Sequence, residues 1–173
     1  LNIRSNTSLT NIDALANLTS VGGVFIYFNP SLTNLDGLVR LTSVGGYLNI
    51  FSNGSLTNLD GLASLASVGG GLIIFSNRLL TSLSGLVSLT SVGGDLNIHS
   101  NLSHTTNDAD AHLSGVGGGF SIFNNPLTTL HVLVILTSLG VYSNIYSNCL
   151  LTTLALLTNP PNVRTPFNLF SDP

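Results

Sequence analysis

The chain contains no Lys, Glu, Gln, Met or Trp, and its 173 residues include one cysteine and four arginines. Each absence excludes something. Without lysine, and with a net charge of −3, there is no basic footprint for nucleic acid or for an anionic membrane surface. Four of the strongest helix formers are missing while 18 glycines remain, which argues against a helical bundle. Cys149 has no second thiol with which to form an internal disulfide. The longest apolar run, Leu130 to Leu136 with His131 inside it, is too short to span a bilayer. Charged residues make up only 6% of the chain, against about a quarter in ordinary domains, and 43% is apolar. The length suits one domain over 1–173. Neither end carries a leader or lipidation motif, so the sequence reads as a mature chain or an excised piece. Absent lysine, abundant Ser and Thr, and Asn-x-Ser/Thr sequons at Asn6, Asn17, Asn53 and Asn101 point to an extracellular or cell-surface protein.

Self-comparison finds a periodic array. Leu48-Asn49-Ile50-Phe51-Ser52-Asn53 returns as Leu72-Ile73-Ile74-Phe75-Ser76-Asn77 and again as Leu96-Asn97-Ile98-His99-Ser100-Asn101, each time 24 residues later. The marker residues Asn6, Asn29, Asn53, Asn77, Asn101, Asn125, Asn148 and Asp172 keep a spacing of 23 or 24 and define about eight rungs. Two periods coexist in each unit. The Leu-x-Ile part alternates, as a short strand does. After the Asn, apolar residues fall at every third position (Leu56, Leu59, Leu62, Leu65, Val68), too tightly for an α-helix but well suited to 3₁₀ turns. The Gly-Gly pairs beginning at Gly22, Gly45, Gly69 and Gly93 are expected to supply positive φ where the chain turns back into the next strand. The predicted fold is therefore a β-rich solenoid with one parallel sheet and irregular or 3₁₀ returning segments, each coil hiding its neighbour's apolar side. The unit 102–115 diverges, and the last, 158–173, is interrupted by Pro160, Pro161 and Pro166.

The strand signature Leu-x-Ile-x-x-Asn resembles that of leucine-rich repeats. The longer phrase Leu-Thr-Ser-Val-Gly-Gly-x-Leu-x-Ile-x-x-Asn is similar to the receptor L-domain branch of that superfamily. The resemblance covers nearly the whole chain and is strongest from Leu1 to Asn101. It implies a right-handed coil and an extracellular, non-catalytic solenoid whose members bind ligands or build surface structures. The flanking disulfides of the receptor domains are absent, and the repeats here are more uniform.

In such a coil, Leu and Ile of the strand point inward, and the residue after Ile faces out. That outward column reads Arg4, Tyr27, Phe51, Phe75, His99, Phe123, Tyr146 and Phe170. Rungs about 4.8 Å apart would bring neighbouring rings into contact along a stripe of roughly 35 Å. Beside it runs a mainly polar column, Asn2, Phe25, Asn49, Ile73, Asn97, Ser121, Asn144 and Asn168. The stripe from Tyr27 to Phe170 is thus a candidate platform for sugar rings or another protein, or else a ladder that stiffens the sheet. The marker asparagines are expected to point inward and bond from rung to rung. An oligosaccharide would then be excluded from Asn6, Asn53 and Asn101, leaving Asn17 as the candidate glycosylation site.

Other columns bear on chemistry. The threonine file Thr10, Thr33, Thr57, Thr81, Thr105, Thr128 and Thr152 resembles those of ice-binding solenoids, although a second file, Thr19, Thr42, Thr90 and Thr137, is interrupted at Ala66. Hydroxyls capping backbone groups are the plainer role. Asp13, Asp36, Asp60 and Asp108 suit turns in which the side chain bonds its own backbone better than they suit a cation site. His104, Asn107, Asp110 and His112 of the divergent unit match no recognised metal-ligand spacing. No nucleophile and base are placed together, so no enzyme activity, catalytic residue, cofactor or metal is expected. The expected function is a structural or adhesive surface solenoid, with head-to-tail self-association into a filament or surface layer as one way of assembling. The alternatives are a glycan- or protein-binding ectodomain using the aromatic file, and an ice-binding protein.

Overall fold

A computed structural model describes residues 1–101, 103, 112–130, 136–151, 153–154 and 167–170. Most of the divergent unit, including His104, Thr105, Asn107, Asp108 and Asp110, lies outside the described residues, as do His131, Thr152 and Asp172. The chain is a parallel β-solenoid with a repeat of about 24 residues. Its main sheet has eight strands in chain order: Asn2–Arg4, Val24–Tyr27, Leu48–Phe51, Leu72–Phe75, Leu96–His99, Phe120–Phe123, Ser143–Tyr146 and Phe167–Phe170. Register follows the columns read from the sequence, with Ile26, Ile50, Ile74, Ile98, Ile122 and Ile145 paired one above the next.

Alternation fixes which side of each strand is buried. In Leu48–Phe51, Leu48 and Ile50 are fully buried, whereas Asn49 and Phe51 are half-buried on the outer face. The three-residue period does the same for the returning segment. Leu56, Leu59, Leu62, Leu65 and Val68 all lie in the core, and short 3₁₀ turns occupy Asp13–Leu15, Asp36–Leu38, Asp60–Leu62 and Ser84–Leu86. Each fully buried aliphatic side chain contributes about 1.5–3 kcal/mol of transfer free energy, so the coils cohere through a continuous apolar column rather than through separate cores.

One sheet was expected, and the returning segments add more. Ser20–Val21, Ser43–Val44, Ser67–Val68, Ser91–Val92, Gly115–Val116 and Ser138–Leu139 form a six-stranded parallel sheet, and Thr129–Leu130 pairs with Thr153–Leu154. Two-residue strands were not visible as alternation because they are too short to show a period.

The glycine expectation is corrected. No described glycine has positive φ; that conformation falls on Ser5, Phe28, Ser52, Ser76, Ser100, Asn124 and Ser147, each just before a marker asparagine or its equivalent. Small serine and asparagine side chains tolerate it more readily than bulky ones, and Phe28 is the sterically unusual member. The glycines instead let coils approach. A Cβ on Gly46 would stand 2.6 Å from the Gly22 carbonyl oxygen, and one on Gly69, Gly93, Gly117 or Gly140 would overlap the glycine carbonyl of the preceding coil. The same closeness permits direct bonds such as Gly70 N–H to Gly46 O at 2.9 Å and Gly94 N–H to Gly70 O at 2.8 Å. The 3₁₀ turns show a further glycine column, Gly37, Gly61 and Gly85, pressed against the carbonyls of Ile12, Leu35 and Leu59. Ala14 occupies that position in Asp13–Leu15, where no described coil lies against it.

Candidate functional site

The outward aromatic column forms as a continuous stack. Centroid separations run 4.6 Å for Tyr27–Phe51, 4.6 Å for Phe51–Phe75, 4.8 Å for Phe75–His99, 4.4 Å for His99–Phe123 and 4.7 Å for Phe123–Tyr146. The planes are within 15° of parallel. Arg4 closes one end by donating from Nη1 to the Tyr27 hydroxyl at 3.0 Å. Phe170 pairs with Tyr146 in the register that would extend the column, and its side chain lies outside the described residues. Parallel stacking decides what such a column offers. Phe51, Phe75, His99 and Phe123 have a ring against both faces, so each presents only its edge, whereas a sugar packs on a face. The adjoining column is no uniform amide border either, since Ser121 is buried and Asn49 holds its Oδ1 buried without a hydrogen-bond partner.

Burial among these rings holds the His99 imidazole below its ordinary value of 6.5, and Nδ1 lies 3.2 Å from the Ser100 hydroxyl. With the folded-state value lowered, the unfolded chain binds more protons just below 6.5. His99 therefore contributes stability that is complete above 6.5 and is lost as pH falls from there through the lowered folded value. His99→Phe, which keeps a stacked ring, is expected to raise the melting temperature more at pH 5 than at pH 7.5. Equal shifts at both pH values, read by thermal denaturation, would contradict that assignment.

Next to the rings stands a ladder of buried amides. Asn29, Asn53, Asn77, Asn101 and Asn125 are essentially inaccessible. Each accepts on Oδ1 from the backbone N–H of the marker asparagine one coil earlier, as in Asn53 N–H to Asn77 Oδ1 at 3.1 Å, and donates from Nδ2 to an earlier strand carbonyl, as in Asn77 to Ile50 O at 3.0 Å. The sequons at Asn53 and Asn101 are thus closed to a glycan. Asn6 departs from the expectation: it is exposed because no described coil covers it, although its Nδ2 bonds Arg4 O and Asn29 Oδ1. Asn17 is exposed, with its Oδ1 3.3 Å from Arg40 Nη1.

Threonine hydroxyls are also directed at the neighbouring coil. Thr33, Thr57 and Thr81 donate to the carbonyls of Thr10, Thr33 and Thr57 at 3.2–3.3 Å. The interrupted second file continues across its gap, because Thr90 donates to the backbone carbonyl of Ala66 at 3.0 Å. At the 3₁₀ turns the side chain that bonds the backbone is not the aspartate. Asn34 and Asn58 Oδ1 accept from the N–H of Asp36 and Asp60 at 3.1 and 3.0 Å, with Asn11 doing the same for Asp13. Among the described residues, no cluster of three potential metal-ligating side chains forms, and Cys149 is exposed and free.

Sequence columns gave no warning of a groove lined by Pro30, Ser52, Gly54, Ser76, Arg78 and Ser100. One coil before Ser52 in the same column, Phe28 stands nearly perpendicular to Tyr27 and Phe51, 5.5 and 5.6 Å from their centroids, and remains 52% exposed. The only trace in the sequence is that Phe28 replaces serine in its column.

Fold and site together define a parallel β-solenoid whose coils are tied by ladders of amides, hydroxyls and aromatic rings. Compared with known proteins, the chain matches no family model, no curated protein and no solved structure. Among the described residues no helix is long and apolar enough to cross a membrane.

Proposed function

We propose that the protein is a non-enzymatic structural or adhesive solenoid of the cell exterior, built from leucine-rich-repeat coils of the receptor L-domain kind. The observation that carries this reading is the destination of the recurring side chains: asparagine, threonine and ring columns are each spent on the next coil. A catalytic centre needs polar groups held ready for a substrate, and those of the asparagine and threonine columns are already engaged. The Leu-x-Ile-x-x-Asn signature supports the repeat class, and the exposed sequon at Asn17 supports the exterior. End-to-end association of copies belongs to the proposal as one way in which such a solenoid assembles.

Phe123→Ala tests the scaffold role against recognition through the ring file. Losing the stacks with His99 and Tyr146 should cost about 1–2 kcal/mol, which lowers the melting temperature by roughly 3–6 °C in a chain of this size. Binding to arrayed glycans and extracellular proteins should stay unchanged. An unaltered melting temperature with abolished binding would overturn the proposal in favour of a receptor-like ectodomain.

A further inference from the structure

We infer that the groove beside the ring file binds an oligosaccharide bearing carboxylate groups. Its floor is the run of residues before the marker asparagines, where Ser52, Ser76 and Ser100 follow one another at the coil spacing of about 4.8 Å. The backbone N–H groups here are already bonded: those of Ser52, Ser76 and Ser100 donate to Phe75, His99 and Phe123 carbonyls at 3.1–3.3 Å. An extended peptide would therefore find no free edge to pair with. What remains are hydroxyls, and those of Ser52 and Ser76 make no hydrogen bond among the described residues. A row of hydroxyls that can both donate and accept matches the hydroxyls of a sugar chain.

Two residues further along each coil stand Pro30, Gly54 and Arg78. Gly54 makes the opening, because a Cβ built there meets nothing within 4 Å. Arg78 is exposed, and its guanidinium has no hydrogen-bond or ionic partner among the described residues. Among the described residues no carboxylate lines the groove, so in a chain of net charge −3 Arg78 makes a local positive field. A planar guanidinium selects a carboxylate, which it can bind through two parallel hydrogen bonds.

Phe28 is the independent observation. It is held at φ 55°, a conformation that its column otherwise gives to serine or asparagine and that bulky residues avoid. Set across Tyr27 and Phe51 one coil before Ser52, it is half-exposed and not enclosed in the stack, and it gives a sugar a surface to pack on. The inference rests on these residues and not on the scaffold reading.

The test is titration calorimetry of the full chain with a mannuronate tetrasaccharide, alongside the neutral mannose tetrasaccharide and tetra-aspartate. The wild-type chain should bind the acidic sugar, at least about tenfold more tightly than either other probe, and more weakly as salt rises. Arg78→Gln should weaken binding about tenfold, and Gly54→Leu, which fills open space, should abolish it. Phe28→Ser should weaken binding while leaving the melting temperature within a few degrees of wild type. Each variant's melting curve separates loss of site from loss of fold. No binding by the wild-type chain, equal binding of tetra-aspartate, or undiminished binding by well-folded Arg78→Gln and Gly54→Leu chains would overturn the inference.

Discussion

Gly61→Ala should come close to unfolding the stack at its middle. A methyl group there would overlap the Leu35 carbonyl oxygen and crowd the Asp36 nitrogen, both backbone atoms of the preceding coil. Side chains can swing aside; these atoms cannot move without parting the coils. The separation would disturb hydrogen bonds such as Thr57 N–H to Thr33 O and would loosen the packing of the Leu59, Leu62 and Leu65 column. Overpacking commonly costs 1–3 kcal/mol, and with backbone as the obstacle the expected loss is upward of about 3 kcal/mol. A drop in melting temperature of roughly 10 °C corresponds to it. Gly22→Ala is the matched control, because its methyl meets nothing within 4 Å. If both substitutions lower stability equally, contact between coils is not what that glycine column serves.

Asn77→Leu is the second large effect. The substitution takes the acceptor from Asn53 N–H and from Asn53 Nδ2, and the donor from Ile50 O, all in buried surroundings. Orphaned buried polar groups cost about 1–3 kcal/mol each, so an overall loss near 4 kcal/mol is expected despite the added apolar surface. Asn6→Ala should cost under about 1 kcal/mol, because Asn6 is exposed and its side chain only donates. Urea titration of the two variants reads the difference directly. Equal destabilisation would mean that the amide ladder is no stronger inside the stack than at its edge.

Much of this architecture was legible because a repeat superimposes its own columns. Ile50 above Ile74, the three-residue spacing from Leu56 to Val68, the inward asparagines and the ring file all follow from counting in steps of 23 or 24. Counting shows which residues meet but not how closely. From counting alone the Gly-Gly pairs read as a matter of backbone conformation, when their role is to let one carbonyl nearly touch the next coil. It also shows that aromatic residues align without showing which part of each ring stays open. The file from Tyr27 to Tyr146 therefore reads as a platform, whereas the rings more than half exposed among the described residues include Phe28, in a neighbouring column. The groove at Gly54 and Arg78 was hidden for a simpler reason: it is made by a missing side chain, and columns record only those present.

The amide ladder carries one more consequence. Along Asn29, Asn53, Asn77, Asn101 and Asn125 every backbone N–H points towards the following coil and every Oδ1 points back. Dipoles aligned head to tail reinforce one another, as they do along an α-helix. Other donors run the opposite way, among them Asn77 Nδ2 to Ile50 O and Thr57 N–H to Thr33 O, so this polarity belongs to the row of N–H and Oδ1 groups and not to the rod as a whole.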